Sequence, residues 1–416
     1  MGFSIFTCSL NFLRYYGNYI SQEQKEIGIR TRDLVNKKIG SFKDIISITR
    51  NSQLAKNEFQ IEVAKNLGAL ALQVQWVDGD ANNAEESFLR INQSATKISD
   101  AELELIQERD KAFAIAARAI VRAGKGYQYW SAFSQDKQQE VIKLSKSIHD
   151  LLFGNGITNV DDINSYSIGG YQSSTLTLDV VTQTVKICNG ITKVEMAEIG
   201  DEKAVIRCLK NTEKILEYIN SKEKYSLGIH PFVYFYSDLG KHKIGSYYGF
   251  VLFIKDLIEQ NRINDFISVR GTFEQVIYQY NFLVQQIIRR WRQSKKAYIH
   301  IKEYFFTIMD ILLVNKELEA EEVVEKVRSN GEFNYLQIEI VDNEEATVKG
   351  NFSRGKRQQI KLRALVKNLP KCPICNGYMD TKSVSVDHIN RKQDGGTNSY
   401  ENGQITHLYC NTTYKN

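Results

Sequence analysis

Two short-spaced pairs of soft metal ligands stand close together in the last part of the sequence: Cys372-x-x-Cys375 and, after a long insert, His407-x-x-Cys410. Two such pairs separated by a loop are how a tetrahedral zinc site is usually assembled, with the sulfurs bound as thiolates. The segment is far too short to be held by a core of its own. Zinc contributes on the order of 10–16 kcal/mol of apparent binding energy to folds of this size. Of the six cysteines, Cys8, Cys188 and Cys208 stand alone. The start of the sequence has no basic flank and no small-residue cleavage site, so it reads poorly as a signal peptide. C-x-x-C clustering in such a protein favours metal over disulfides. A zinc ribbon or finger without catalysis is the competing reading of this quartet.

What lies between the two pairs weighs against a plain ribbon. Val384 and Val386 alternate with Ser383 and Ser385, which predicts a short strand ending in Asp387-His388. The pair Gly395-Gly396 suits a loop that needs positive φ angles. Asn402 follows, then Ile405 and Leu408 begin a second apolar pattern, and Cys410-Asn411 opens a last helix of barely more than a turn. Through C-x-x-C, D-H-I, G-G, the central N and H-x-x-C-N, residues 372–415 resemble the HNH, or ββα-metal, endonucleases.

That resemblance implies that His388 is the general base and Asp387 a ligand of a catalytic divalent ion. It makes Asn411 the second protein ligand and Asn402 the central asparagine that pins the loop and helps orient His388. The chemistry agrees: neutral imidazole takes a proton from water near pH 7, and a carboxylate with an amide oxygen suits Mg²⁺ or Mn²⁺. In some members of the family the last histidine of the motif binds the catalytic ion. Here the spacing H-x-x-C-N mirrors C-x-x-C and favours His407, with Cys372, Cys375 and Cys410, as a structural zinc ligand. One departure stands out: a basic residue normally follows C-N closely, and here Lys415 comes one position late.

Just before this segment lie Arg354, Lys356, Arg357, Lys361, Arg363, Lys367 and Lys371, with no acidic residue among them. As a helix ending at Pro370 they would offer salt-sensitive contacts to nucleic-acid phosphates; the bland reading is a solvated helix face. A second cluster, Arg289-Arg290-Trp291-Arg292 with Lys295 and Lys296, could grip backbone and stack a base, but reads better as a surface helix end. The formal net charge of +5 is mild and leaves any nucleic-acid argument to such local patches.

The elements that must position these residues form a helix-rich body. Proline is nearly absent, with Pro231, Pro370 and Pro373 only. Strands are expected at Leu70–Trp76, Phe232–Tyr236 and Tyr335–Val341. Helical patterns run over Asn83–Ile91, Ser99–Gly124 (Ser99 and Glu102 forming a capping box), Asp136–Leu152, Ile244–Ile258, Thr272–Arg292 and Ile299–Leu313. The stretch from Gly154 to Gly190, rich in Gly, Ser, Thr and Asn, reads as loops with short strands or as a partial linker. The expected fold class is α+β: a mostly helical body with a zinc-stapled ββα-metal module.

The stretch NAEESFLRINQSATKISDAELELI, with IAARAIVRAGKGYQYW and IHPFVYFYSDLGKHK, is similar to the ParB-like family of GmrSD-type restriction systems over about residues 69–350. Phe88, Ile91 and Phe113 read as core, Arg90 and Asn92 as polar members able to face a ligand. The family's early Q-R and D-G-x-Q-R motifs are missing, and Asp78-Gly79-Asp80 is the nearest text. The resemblance leaves two readings: a shortened member whose missing half a separately encoded ParB-like partner supplies, or a lineage that has lost that chemistry. With the composition shift at Asn351, the expected division is a shortened region at 1–160, a helix-rich domain at 161–350 and a basic helix plus nuclease module at 351–416. No run approaches the roughly 18 apolar residues of a membrane span, and the expected location is the cytoplasm. The function read from the sequence is a metal-dependent DNA endonuclease of bacterial restriction or anti-phage defence. The alternative is a zinc-dependent nucleic-acid-binding or regulatory subunit with an inactive nuclease module.

Overall fold

The computed structural model describes residues 22–69, 99–126, 128–154, 162–170, 174–193, 197–338 and 351–415. The chain divides into two compact units, residues 1–96 and 97–416. The expected strand Leu70–Trp76, the helix Asn83–Ile91, and Phe88, Arg90, Ile91 and Asn92 lie outside the described residues.

In the first unit, α1 (Gln22–Lys38), α2 (Phe42–Arg50) and α3 (Glu58–Ala69) are described. Ser41 caps α2 in a capping box with Asp44. Ile45, Ile48 and Ala64 are buried together, and Gln60 Nε2 donates to Ile39 O (3.1 Å), tying α3 to the end of α1.

The second unit begins with α4 (Asp100–Gln107), α5 (Ala112–Val121), α6 (Gln135–Phe153), α7 (Ser174–Cys188), α8 (Glu202–Ile219) and α9 (Pro231–Phe235). It continues with α10 (Ile244–Glu259), α11 (Ile263–Gln279), α12 (Phe282–Trp291), α13 (Ser294–Val314), α14 (Ala320–Ser329) and α15 (Arg354–Lys367). A hairpin of β1 (Val384–His388) and β2 (Gly403–His407) follows, then a π-helical turn, Cys410–Tyr414. The expected α+β class holds in this form: a mostly helical body with one small two-stranded sheet. Among the described residues no helix is long and apolar enough to cross a membrane.

One hydrophobic core runs from Leu105 to Cys410. At its centre α10 packs closely on α12 and α13, because Gly245 and Gly249 carry no Cβ: one added at Gly245 would lie 2.7 Å from Ile288 Cδ1, and one at Gly249 2.6 Å from Ile301 Cγ2. Phe250, Phe253, Phe266, Phe273 and Phe305 fill the interior with edge-to-face and offset rings. Leu362 and Val366 of α15, Met379, and the three cysteines near the end of the chain belong to the same core. The Cys/His segment therefore borrows its packing from the body as well as having ligands of its own.

Several expected elements differ. Phe232–Tyr236 is not a strand; Pro231–Phe235 is a short, fully buried helix with proline at its first position. A short apolar run does not distinguish strand from buried helix, and proline there pre-sets the helical φ. The loop-like text before Gly190 contains α7, where Thr182 and Thr184 hydroxyls donate to the carbonyls of Leu178 and Val180 one turn back, so these residues satisfy themselves inside a helix. The pattern Ser99–Gly124 splits into α4 and α5 at Lys111, which bridges to Ile199; the Ser99–Glu102 capping box forms as expected. Thr272–Arg292 breaks at Tyr280 into α11 and α12. Of the expected strand Tyr335–Val341, residues 335–338 form no strand and the rest lies outside the described residues.

Candidate metal centre and active site

Cys372 and Cys375 sit on a tight turn after α15. Cys372 N–H donates to Gly377 O (2.9 Å) and Asn376 N–H to Cys372 O (2.8 Å), with Asn376 at φ +56°, a conformation asparagine tolerates better than most residues. His407 ends β2 and Cys410 opens the π-helical turn. The four ligand atoms lie within 4.8 Å of one another, and all four residues are buried. Tetrahedral Zn–S bonds of about 2.3 Å give edges of about 3.8 Å; Cys375 Sγ and Cys410 Sγ lie 3.3 and 3.8 Å from His407 Nδ1. His407 Nε2–H donates to Tyr378 O (3.0 Å), which leaves Nδ1 as the ligating nitrogen and fixes the ring. Burial, then the neighbouring Arg270, hold His407 below the ordinary imidazole value, so the ring is neutral.

Hydrogen bonds from Cys375 and Cys410 hold the Cys372 thiol far below its usual value, and the bonds to Cys372 help push Cys375 and Cys410 up. Zinc ligation needs the sulfurs as thiolates, and a divalent cation at the centre would supply the charge that stabilises them. The donor set therefore fits a zinc ion. Cys188 and Cys208, by contrast, are buried thiols that burial pushes up, which makes them poor nucleophiles.

The body grips this centre through a buried ion pair that the sequence reading missed. Arg270 and Glu274, one turn apart on α11, are 0% and 1% exposed, with Nε 2.7 Å from Oε1. Arg270 also donates to Leu227 O (2.5 Å), Gly228 O (3.3 Å) and Tyr378 O (3.4 Å), and its Nη1 lies 3.4 Å from His407 Nδ1. Tyr234 OH donates to Glu274 Oε1 (2.8 Å) and Tyr378 N–H to Oε2 (2.5 Å). A Cβ on Gly377 would stand 2.5 Å from Arg270 Nε, so the turn must be glycine to come this close. Further bonds join the two parts: Asn220 to Asp380, Ser383 Oγ to Ser221 O, Tyr409 OH to Asn264, and Thr412 Oγ1 to Lys224 O. The only local signal for Arg270 is a charged pair at i, i+4 inside an apolar helix.

The hairpin delivers the reactive-type residues. In its register Asp387 faces Gln404 and His388 faces Gly403. Successive side chains alternate faces, so Ser385 and Asp387 share the face on which the π-helical turn lies. There Asn411 Nδ2 donates to Ser385 Oγ (3.1 Å) and Val386 O (3.4 Å). Asp387 Oδ2 accepts from Gln404 Nε2 (3.0 Å) and Lys415 Nζ (2.6 Å), and Lys415 Nζ also donates to His388 O (2.8 Å). Burial raises the Asp387 carboxyl, but these two donors outweigh it and hold it below the usual carboxylate value. His388 Nε2 lies 3.0 Å from Asn398 Oδ1; with that oxygen accepting, Nε2 carries the proton and Nδ1 is the basic nitrogen. Asp387, His388, Arg391, Lys392, Gln393 and Lys415 line a cleft of about 290 Å³. A larger hollow of about 390 Å³ near Asn220 and Asp380 is lined by none of these residues.

Asn402 closes the loop between the strands. Its Nδ2 donates to Asn390 O (3.1 Å) and Thr397 O (2.7 Å), while its Oδ1 accepts Asn390 N–H (2.8 Å) and its carbonyl accepts Ile389 N–H (2.9 Å). It thus pins both the residues that follow His388 and the residue next to Asn398. Gly395 has φ +86° as its neighbourhood in the sequence suggests. Gly396 is required for a different reason: a Cβ there would sit 1.9 Å from Asn390 O.

The seven cations before the module separate. On α15, Leu362 and Val366 face the core; Arg354, Arg357 and Lys361 run along one flank and Lys356, Arg363 and Lys367 along the other, all exposed. Arg363 is held by Asp238 through Nε (2.9 Å) and Nη2 (2.7 Å), and Lys371 Nζ lies 4.9 Å from the centre of the Tyr378 ring. At the other basic cluster, Arg290 stacks on Tyr335, Lys295 pairs with Asp179, and Trp291 lies flat on His300.

Compared with known proteins, residues 372–416 match the family described as HNH endonuclease. No curated protein and no solved structure matches the chain, and nothing supports the resemblance of the body to the ParB-like family. The last segment of this chain, residues 372–416, is thus an HNH endonuclease domain whose Cys372, Cys375, His407 and Cys410 form a cluster able to hold zinc.

Proposed function

We propose that the protein is a metal-dependent endonuclease that hydrolyses DNA phosphodiester bonds in the cleft beside β1. The observation that carries this reading is the placement of Asp387 and His388, consecutive at the end of β1, at the rim of a cleft whose other side chains include Arg391, Lys392 and Lys415. His388, with Nε2–H on Asn398, presents Nδ1 to a water molecule and takes its proton as the oxygen attacks phosphorus. The P–O bond to the leaving oxygen then breaks. Asp387 and the amide oxygen of Asn411 would hold a divalent ion, Mg²⁺ or Mn²⁺, which supplies Lewis acidity and stabilises the leaving oxygen. Asn402 keeps the loop that presents Asn398 to His388. The zinc cluster fixes the ends of β2 and of the final turn around this cleft. The cations of α15 would contact the duplex backbone. A setting in bacterial restriction or anti-phage defence, with a separately encoded partner subunit, would rest on the sequence resemblance of the body alone, which no comparison supports.

A second reading, a zinc-dependent nucleic-acid-binding or regulatory protein with an inactive nuclease module, draws on one observation: Lys415 occupies the carboxylate that the divalent ion would need. Plasmid nicking separates the two. Incubation with Mg²⁺ or Mn²⁺ is expected to nick supercoiled plasmid, and EDTA to stop it. His388→Ala is expected to lower the rate about 10²–10⁴-fold while DNA binding is retained. Equal binding by wild type and His388→Ala, with no cutting under any divalent ion, would establish the binding reading instead.

A further inference from the structure

Lys415 reaches the cleft by an unusual backbone route. Its N–H donates to Cys410 O (3.0 Å), five residues back, so the final turn is wound as a π helix. Such turns carry one residue more than an α turn and recur at functional sites.

There Nζ bridges Asp387 Oδ2 (2.6 Å) and His388 O (2.8 Å). The lysine and aspartate side chains are only 19% and 9% exposed. The short last turn is anchored at its end by Arg391, whose guanidinium donates to Lys415 O.

We propose that Lys415 is the resident cation of the catalytic-ion site: it holds Asp387 in position and competes with the divalent ion for its carboxylate. This rests on the reading of Asp387 as an ion ligand. Both cations cannot take Asp387 Oδ2 at contact distance without strong mutual repulsion, which the low exposure of the site leaves poorly screened. The ion therefore binds only as Nζ moves off the carboxylate. Substrate makes that move favourable, because a phosphate oxygen in the same cleft offers the ammonium a new anionic partner. Ion binding and substrate binding are then linked and each strengthens the other. Lys415 is a positioning residue in the ion-free state and a phosphate contact once substrate is bound.

The test is Mn²⁺ binding to the zinc-loaded full chain, followed by the electron paramagnetic resonance signal of free Mn²⁺, without nucleic acid. Lys415→Met is expected to bind Mn²⁺ at least tenfold more tightly than wild type, and Lys415→Arg close to wild type. Asp387→Asn should abolish this binding in both the wild-type and the Lys415→Met backgrounds. An uncleavable oligonucleotide should tighten Mn²⁺ binding in wild type by more than in Lys415→Met. Lys415→Gln serves as a second variant if the methionine protein fails to retain wild-type circular dichroism. Equal or weaker Mn²⁺ binding in Lys415→Met and Lys415→Gln, or binding insensitive to Asp387→Asn, overturns the proposal. Tighter binding in Lys415→Met with no plasmid cutting by any form would leave this competition standing and remove the nuclease reading. Cutting with unchanged Mn²⁺ affinity would do the opposite.

Discussion

Glu274 on α11 accepts the backbone N–H of Tyr378, in the turn that carries Cys372 and Cys375, at 2.5 Å. The same carboxylate takes Arg270 on its other oxygen, and Arg270 lies against the ligand nitrogen of His407. A buried ion pair of the body thus also belongs to the wall of the Cys/His cluster.

Removing one partner of that pair should be strongly destabilising. Glu274→Gln leaves a guanidinium buried without its counter-charge, and such losses cost about 3–5 kcal/mol. Denaturant unfolding should show this loss, and a chelator competition should show faster zinc release than from wild type. Arg270→Met combined with Glu274→Met should recover much of the stability, since an apolar pair of similar volume avoids the desolvation cost. Equal stability of Glu274→Gln and wild type would contradict this assignment.

The two loop glycines should separate by readout. Gly396→Ala places a methyl 1.9 Å from Asn390 O, so the loop must move, and with it Asn398, the partner of His388. Plasmid nicking should fall at least tenfold, while zinc content, measured by atomic absorption, stays at the wild-type ratio. Gly395→Ala meets nothing within 4 Å but keeps φ at +86°, a strain of about 1–2 kcal/mol. That variant should keep most of its activity and lose a little thermal stability.

Cations along α15 should divide by what they touch. Each of Arg354, Arg357, Lys356 and Lys367 that meets a phosphate should, as alanine, reduce the slope of log K against log salt by roughly 0.9. Arg363→Ala breaks the two-pronged bond to Asp238 and should cost up to about 1 kcal/mol of stability, with little change in slope. Fluorescence anisotropy on a labelled duplex over a salt series, with thermal unfolding alongside, distinguishes the two behaviours.

Acid should weaken the folded body through His230. It is fully buried, and neither ring nitrogen has a hydrogen-bond partner among the described residues. Burial pushes its value down to about 4 against the attraction of Asp380 and Glu274, with Lys382 adding to the depression. The unfolded chain takes the proton first, from about pH 6.5 downward, so the folded state loses stability as pH falls from there toward 4. Full stabilisation from this group is present above about pH 6.5, and the loss reaches up to about 3 kcal/mol. His230→Phe should flatten urea-unfolding free energy across that interval; an unchanged pH slope in this variant would falsify the assignment.

Much of the module was legible in the residue order because its signals are local. Ligand pairs at C-x-x-C and H-x-x-C spacing, alternating residues before Asp387-His388, and paired glycines each constrain only their neighbours, and the structure brings the four ligands within 4.8 Å. Capping of α4 by Ser99 is equally local. What the amino-acid order left open depends on packing at long range. Five buried apolar residues at 231–235 suit strand or helix alike, and only their surroundings select the helix. The grip of Arg270 and Glu274 joins positions more than a hundred residues from Tyr378 and His407, and no spacing announces it. Lys415 looked one position out of place; a wider backbone turn sets its ammonium against Asp387 and the carbonyl of His388. Residue type thus determined which groups could react, and tertiary packing decided which of them meet, because burial and charge pairing act between parts of the chain that the order of residues does not connect.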